Sequence, residues 1–172
     1  AVLAIEQVAL VCPRSADVIQ SGSFGPLRTF AEYATEFQKE KYLSQLLNGE
    51  IVIGLGMTEP NAGSAVTDLT TKAVEDGDGF RVSGSKVFTS NSPDADIFLI
   101  YVRYHEGVNG IGSVLMDTSM EGFSKGKSSK YTNGEEWCAL YFDNVYVPKE
   151  NVLLGPGGFK KQIAGFNAER IG

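Results

Sequence analysis

The chain has 172 residues, of which 15 are basic and 21 acidic, so its formal net charge at neutral pH is −6. This length can bury one sizeable core, and an acidic balance without a basic cluster argues against binding to nucleic acid or to an anionic membrane surface. Two cysteines far apart and a single histidine provide neither a metal-ligand spacing nor a catalytic triad, so no metal site is predicted.

The first fifty residues show helical patterns. Residues 1–11 are apolar but include Glu6 and lack a basic leading region, which argues against a signal peptide or a membrane span and favours a buried helix. Further on, Thr35 and Gln38 have the spacing of a capping box, which predicts the start of a helix. The inward face of that helix is predicted to comprise Phe37, Leu43, Leu46 and Leu47.

After Gly49 the pattern changes to short β-rich segments separated by turns. The predicted strands are residues 51–57, 69–75, 80–83, 86–89, 97–103, 112–116 and 139–142. Asp76-Gly77-Asp78-Gly79 is a strong reversal signal and predicts a hairpin. The spacing of the strands is typical of a β-sandwich or barrel, and a helical pattern resumes from Gly158.

Two nucleotide-binding motifs can be rejected. The segment 122–128 resembles a P-loop, but it has one residue too few between its glycines and no helix follows it. Gly54 and Gly56 lack the third glycine and the helix of a dinucleotide-binding fingerprint. A cofactor site in this chain therefore uses neither device.

The loop Met57-Thr58-Glu59-Pro60-Asn61-Ala62-Gly63-Ser64 directly follows an apolar strand. Its turn-shaped backbone and its hydroxyls suit a polar, anionic or heterocyclic ligand. Pro, Asn, Gly and Ser are also ordinary turn residues, so a plain strand-to-turn connection is the alternative interpretation.

The order of the residues in this loop closely resembles the first flavin-binding segment of the acyl-CoA dehydrogenase family. Gly84-Ser85-Lys86-Val87-Phe88-Thr89-Ser90-Asn91 resembles the second flavin segment of that family. Residues 142–151 resemble the linker into the family's last domain, and residues 155–159 and 166–170 resemble the opening of its first long helix. The resemblance extends from about Phe37 to Gly172.

This resemblance implies an α+β fold: a middle β-barrel or sandwich domain, preceded by helices and followed by the start of a helical bundle. The implied domains are residues 1–50 for the end of an N-terminal helical domain, 51–153 for the flavin-binding β-domain and 154–172 for the start of the C-terminal helical domain. The chain is expected to be a fragment cut at both ends.

The resemblance also implies FAD as the cofactor. By analogy with the family, the cofactor-binding residues are Leu55, Met57, Thr58, Ser64, Phe88, Thr89 and Ser90. An aromatic side chain can pack against the flavin, and hydroxyl and N–H donors can stabilise charge on the reduced ring. The family usually has Trp, Ile and Thr at positions 88–90, and an Asp where Ala65 stands. Taken alone, Phe88 fits a core aromatic in an alternating strand.

The implied reaction removes the α-proton of an acyl thioester while hydride leaves the β-carbon, so it needs a carboxylate base. Most relatives carry this base far downstream; a minority place it where Glu169 stands, and both alternatives remain open. Ser64, Asn167 and Arg170 match substrate-binding positions, and the guanidinium of Arg170 suits a phosphate.

The family resemblance implies an oxidoreductase of fatty acid metabolism that takes an acyl-CoA substrate and passes electrons to an electron-transfer flavoprotein. A homotetramer, or a homodimer, in the bacterial cytoplasm or the mitochondrial matrix is implied, with the cytoplasm favoured. The isolated stretch is expected to be inactive. Alternatives on the same fold are an acyl-CoA oxidase, an enoyl-CoA reductase or a flavin monooxygenase. A non-catalytic β-barrel binding module is the alternative from another class.

Overall fold

The computed structural model describes residues 2–164 of the chain. Its first elements are four α-helices: α1 (Val2–Ala9), α2 (Pro13–Phe24), α3 (Pro26–Tyr33) and α4 (Glu36–Leu47). Helices α2 and α3 each have a proline in the first turn, where the missing N–H leaves no helical bond unmade. Residues 159–164 are again helical, which agrees with the sequence pattern.

Nine β-strands lie between the two helical parts of the described chain. They are β1 (Ile53–Gly56), β2 (Lys72–Asp76), β3 (Gly79–Ser90), β4 (Ile97–Arg103), β5 (Ile111–Asp117), β6 (Phe123–Lys125), β7 (Ser129–Lys130), β8 (Glu136–Pro148) and β9 (Val152–Leu154). Single turns of 3-10 helix cover Val66–Asp68, Val108–Gly110 and Lys149–Asn151.

The strands form one mixed sheet in the order β6-β8-β3-β2-β4-β5-β9, with β1 paired to β4 and β7 paired to β8. Both β1 and β2 run parallel to β4, and the remaining pairs are antiparallel. The predicted hairpin is confirmed: Asp76 pairs with Gly79 around a two-residue turn in which Gly77 has a φ of 58°. The α+β prediction of a β-domain flanked by helices is confirmed.

Strand β4 separates two hydrophobic cores. Ile97, Leu99 and Tyr101 pack with the helices, including Phe30 of α3. The alternate residues Phe98, Ile100 and Val102 pack on the other face of the sheet, in a cluster that includes Val82, Leu140 and Val145. Because both faces of β4 are covered, its sequence is a continuous apolar run instead of an alternating one.

Strands β3 and β8 are longer than predicted. The segments 80–83 and 86–89 belong to one strand, and β8 extends from Glu136 to Pro148, so the predicted linker begins inside a strand. The two strands pair along most of their length, with register shifts between Val82 and Gly84 and between Lys86 and Thr89. These irregularities interrupt the alternation of polar and apolar residues, so the sequence pattern predicted both strands too short.

The capping box of α4 is confirmed: the Thr35 side chain accepts a hydrogen bond from Gln38 N, and Gln38 Oε1 accepts one from Thr35 N. The predicted inward face is partly wrong. Leu46 is buried, but Phe37 is 48% exposed and Leu47 is 67% exposed. The buried side chains of α4 are Gln38, Tyr42 and Leu46. The polar residue Gln38 can lie on the buried face of α4 because its side-chain amide donates hydrogen bonds to two backbone carbonyls near β9.

The apolar N-terminal segment does form a helix, but the prediction that this helix is buried is wrong for the described structure. No residue of α1 is buried, Leu3 is 75% exposed, and Leu10 just after the helix is 76% exposed. None of the described helices has both the length and the apolar character that crossing a membrane requires.

The segment that resembles a P-loop forms strand β6 and the coil after it. Lys125 Nζ donates to the carbonyl oxygens of Pro93 at 3.1 Å and Ala95 at 2.8 Å. The side chain that would bind phosphate in a P-loop therefore ties β6 to a neighbouring loop, and the rejection of this motif is supported.

Candidate functional site

A cavity of about 650 Å³ lies between the helical segment α2–α3 and the ends of strands β1 and β3. The two sequence segments singled out above meet in its wall. The predicted cofactor-binding residues that line it are Leu55, Met57, Thr58, Phe88 and Ser90. These residues come from strands that are far apart in sequence, so the fold brings the two segments together.

The first segment reaches the cavity because β1, which precedes it, packs closely against β4 in the sheet. A Cβ added to Gly54 would lie 2.6 Å from the Phe98 ring, and one added to Gly56 would lie 2.5 Å from Ile100 Cδ1. The glycines therefore let β1 pack directly on β4. Met57 and Thr58 follow at once and line the cavity.

The second segment is shaped by a β-bulge in β3. Lys86 pairs with Leu140 and Thr89 with Cys138, so two residues of β3 stand opposite one residue of β8. Phe88 occupies the bulge with a φ of 55°, a left-handed conformation that is unfavourable for a bulky residue.

The bulge turns the Phe88 side chain outward. Its ring is 55% exposed and lies 4.7 Å from the ring of Trp137, centroid to centroid. The alternative interpretation of Phe88 as a core aromatic is therefore wrong. A strained backbone that holds an aromatic ring at a cavity wall is typical of a functional site.

The structure places Thr89 and Ser64 outside the lining of this cavity. Thr89 is 1% exposed, and its Oγ1 has no hydrogen-bond partner among residues 2–164. Ser64 is exposed in the loop after the Ala62 bridge. Their assignment as ligand-binding residues stays a prediction.

Below the cavity wall, the structure contains a buried ion pair that sequence reasoning missed. Lys86 Nζ lies 2.8 Å from Glu59 Oε1, and the side chains are 0% and 4% exposed. Lys86 Nζ also donates to the Met57 carbonyl at 3.2 Å. Both residues stand inside the quoted motifs, so the signal was present, but a charged residue next to a turn is usually solvated.

The Glu59 carboxylate accepts further hydrogen bonds from two neighbouring threonines. Thr70 donates to Oε2 from both its N–H and its hydroxyl, at 2.6 and 2.7 Å, and Thr71 N donates to Oε1 at 2.9 Å. Burial alone raises the pKa of Glu59, but the Lys86 ammonium and these donors lower it to about 2. Burial lowers the pKa of Lys86 to about 8, and the Glu59 carboxylate opposes that fall.

The helical wall of the cavity is more polar than the wall formed by the sheet. Arg14, Asp17, Gln20, Ser21 and Gly22 line it from α2. Asn133 Nδ2 donates to Asp17 Oδ2 at 3.1 Å and so connects the loop before β8 to this helix. Nothing in the pattern of α2 had marked it as part of a site, because no motif sets these residues apart from those of an ordinary helix.

The residues predicted for catalysis and substrate binding near the C-terminal end, Asn167, Glu169 and Arg170, lie outside the described residues. Within residues 2–164, no group of three or more His, Cys, Asp or Glu side chains could hold a metal ion. With an apolar wall formed by the sheet and a more polar wall from α2, the described cavity can accept a ligand that has both apolar and polar groups.

Comparison with known proteins identifies the family. Residues 54–145 match the model of the acyl-CoA dehydrogenase middle domain. The chain is 36% identical over 142 residues to the mitochondrial isovaleryl-CoA dehydrogenase of Arabidopsis thaliana, a match that covers 80% of this chain and 35% of that protein. It is 32% identical over 176 residues to the short-chain specific acyl-CoA dehydrogenase of Clostridium acetobutylicum, covering 99% of this chain and 46% of that protein.

A solved structure gives the same result. Butyryl-CoA dehydrogenase from Megasphaera elsdenii superimposes with a TM-score of 0.88 at 30% identity, and the match covers 98% of this chain and 46% of that chain. The chain thus spans less than half the length of each of these relatives. Sequence and structure agree that the chain belongs to the acyl-CoA dehydrogenase family, with residues 54–145 matching its middle domain.

Proposed function

We propose that the protein carries out FAD-dependent α,β-dehydrogenation of an acyl-CoA thioester. The observation that supports this most directly is the cavity lined both by Leu55, Met57 and Thr58, at the first family motif, and by Phe88 and Ser90, in the second. Neither segment alone would make a site. Their meeting in one cavity wall is what a ligand shared between the two motifs requires.

The residues present fit a flavin. A volume of about 650 Å³ lies in the range of small-molecule sites. The wall formed by the sheet offers apolar contact from Leu55, Met57 and the exposed Phe88 ring, which suits a flat aromatic heterocycle. Thr58 and Ser90 also line the cavity, and each carries a hydroxyl group that can bond to the polar edge of such a ring.

In this proposal, Phe88 packs against the flavin and Leu55 and Met57 define the position of its edge. The hydroxyls of Thr58 and Ser90 would orient the ring by hydrogen bonds, and the apolar side chains of the same wall would pack against it. When bound, FAD accepts the hydride that leaves the β-carbon of the substrate. Ser64 and Thr89 are retained as proposed cofactor contacts on the family resemblance alone.

The substrate part of the proposal rests on the same resemblance. Glu169 removes the α-proton, unless the base lies further downstream, and Asn167 and Arg170 contact the nucleotide or pantetheine part of the acyl-CoA. Ser64 is exposed in the loop that follows β1, so its hydroxyl is accessible to the pyrophosphate region of a ligand.

We also propose that the electrons leave to an electron-transfer flavoprotein and that the protein works as a homotetramer or a homodimer. The division into residues 1–50, 51–153 and 154–172 remains a prediction. The relatives described above include a mitochondrial and a bacterial protein, so a mitochondrial matrix or bacterial cytoplasmic location fits, with the cytoplasm favoured.

An absorbance spectrum of the purified full-length protein tests this proposal, followed by anaerobic addition of acyl-CoAs of different chain length. Flavin bands that bleach with one of them are expected. Flavin bands that no acyl-CoA bleaches would rule out the dehydrogenation. A folded, colourless protein that cannot be reconstituted with FAD would leave a non-catalytic binding module as the better interpretation.

A further inference from the structure

We infer that the buried Glu59–Lys86 ion pair is a pair of positioning residues. It fixes the two ligand-binding segments relative to each other behind the cavity wall. This inference rests on the proposed function, because it assigns a role toward the flavin. Neither side chain lines the cavity. Each acts through the residues next to it in the chain, so these two are positioning residues and do not touch the cofactor.

Glu59 and Lys86 are close neighbours, in the chain, of residues that line the cavity. Glu59 follows Met57 and Thr58, and Lys86 precedes Phe88. The ion pair therefore connects the two segments within two residues of the positions that line the cavity.

The hydrogen-bond ladders of the sheet do not connect the two segments. Among the described strands, β1 pairs with β4, and β3 pairs with β2 and β8. The two segments meet without a strand ladder between them. They are joined instead by the ion pair at 2.8 Å, by the bond from Lys86 Nζ to the Met57 carbonyl at 3.2 Å, and by the bond from Val87 N to the Thr58 carbonyl at 2.9 Å.

Two glycines near the ion pair leave the room that it requires. A Cβ added to Gly56 would lie 3.2 Å from Lys86 Cγ, so the glycine leaves room for the lysine stem. Gly84 has a φ of 148°, and a Cβ there would lie 2.6 Å from Thr71 Oγ1. This close approach brings the backbone of Thr71 to the Glu59 carboxylate.

A buried ion pair is a weak source of stability, since removing two charges from water offsets most of their attraction. Its established use is to specify one arrangement among several of similar energy. An ion pair that joins two unpaired backbone segments at a ligand cavity fits that use better than a general stabilising role.

The test compares Glu59→Gln, Lys86→Met and the double variant in the full-length protein. Two quantities are measured: the thermal midpoint of the FAD-free protein and the FAD dissociation constant by flavin fluorescence titration. Each single variant leaves a buried charge unpaired and is expected to lower the thermal midpoint. The double variant is expected to recover it, because both charges are gone. Its FAD dissociation constant is expected to stay about tenfold above wild type, since the segments are no longer held in register.

The matched control is Glu36→Gln with Lys39→Met. This pair has the same chemistry at 3.1 Å, but it lies on the surface of α4 with side chains 85% and 30% exposed. It is expected to leave both quantities unchanged. If the Glu59/Lys86 double variant binds FAD as tightly as this control, the ion pair serves stability only and the inference is overturned.

If the double variant fails to fold, the FAD affinity of the Thr70→Val variant tests the inference instead. Thr70 is exposed, and this change removes only the hydroxyl bond to Glu59 Oε2. FAD binding is expected to weaken about threefold relative to Thr67→Val, whose lost bond goes to exposed Asp68. Equal affinities for the two variants would overturn the inference. Wild-type protein that binds no FAD would refute the proposed function itself, and the two failures are therefore distinguishable.

Discussion

Lys86 Nζ lies 2.8 Å from Glu59 Oε1, with both side chains buried directly behind the cavity wall. Burial alone would favour the neutral form of each group. The carboxylate is kept ionised by the charge of the Lys86 ammonium and its hydrogen bond, and further by the hydrogen bonds it accepts from Thr71 and Thr70. The charged state of this pair therefore depends on pH in a direction that can be worked out.

Acid is expected to destabilise the protein through Glu59. Its pKa in the folded state is about 2, against an ordinary value of 4.5, so the unfolded chain binds the proton first as the pH falls. Stability from this group is complete above about pH 4.5 and is lost on the way down to about pH 2, by about 3 kcal/mol. Urea unfolding across this range should show the loss in wild type. An equal loss in the Glu59→Gln/Lys86→Met variant would contradict the assignment.

Gly56→Ala is expected to destabilise the protein by about 1–3 kcal/mol. The added methyl group would lie 2.5 Å from Ile100 Cδ1 and 3.2 Å from Lys86 Cγ, so the buried Ile100 side chain, the Lys86 stem or β1 must shift. Gly63→Ala is the control, because nothing lies within 4 Å of its added Cβ. Urea midpoints measure both changes, and equal midpoints for the two variants would show that the close approach at Gly56 is not required.

Gln38→Ala is expected to lower the free energy of unfolding by about 2–3 kcal/mol. The Gln38 side chain is fully buried and donates to the carbonyls of Glu150 at 2.7 Å and Val152 at 3.0 Å, while it also completes the cap of α4. Gln45→Ala on the same helix removes an exposed bond to the Lys41 carbonyl and should change stability by about 0.5 kcal/mol or less. Chemical denaturation of both variants checks this difference.

Phe88→Ala is expected to weaken FAD binding about fivefold to tenfold while changing stability little. The side chain is largely exposed, and alanine keeps the Cβ that makes a φ of 55° unfavourable, so the change in stability is limited to the lost contact with Trp137. Tyr141→Ala serves as the control, since Tyr141 is half exposed on β8 and outside the cavity lining. Equal FAD affinities for the two variants would show that Phe88 does not contact the bound FAD.

Glu169→Gln is expected to leave FAD bound and to slow flavin bleaching by an acyl-CoA about a hundredfold or more, which is the usual contribution of a general base. Stopped-flow absorbance under anaerobic conditions measures the rate. Glu150→Gln, at an exposed position after β8, is the control. Bleaching at the wild-type rate in Glu169→Gln would place the base further downstream.

The sequence by itself determined the family, the α+β class, the hairpin at Asp76–Gly79 and the capping box of α4. The hairpin and the capping box are local features, because turn glycines and caps act over two to four neighbouring residues. The ordered motifs around Thr58 and Phe88 likewise identified the two segments that line the cavity. The burial of α1 and the inward row of α4 were predicted less well, since both depend on which neighbours cover each face.

Only the tertiary structure decided how the two segments meet. The bulge that turns Phe88 outward depends on the register of β3 against β8, and register is set by pairing across the sheet instead of by local residue preference. Sequence spacing also could not show that Lys86 reaches Glu59, because 27 residues separate them and a charged residue is ordinarily solvated. Folding buries the Glu59 carboxylate and the Lys86 ammonium together. Each charge then requires the other, because a buried charge without a partner is strongly destabilising.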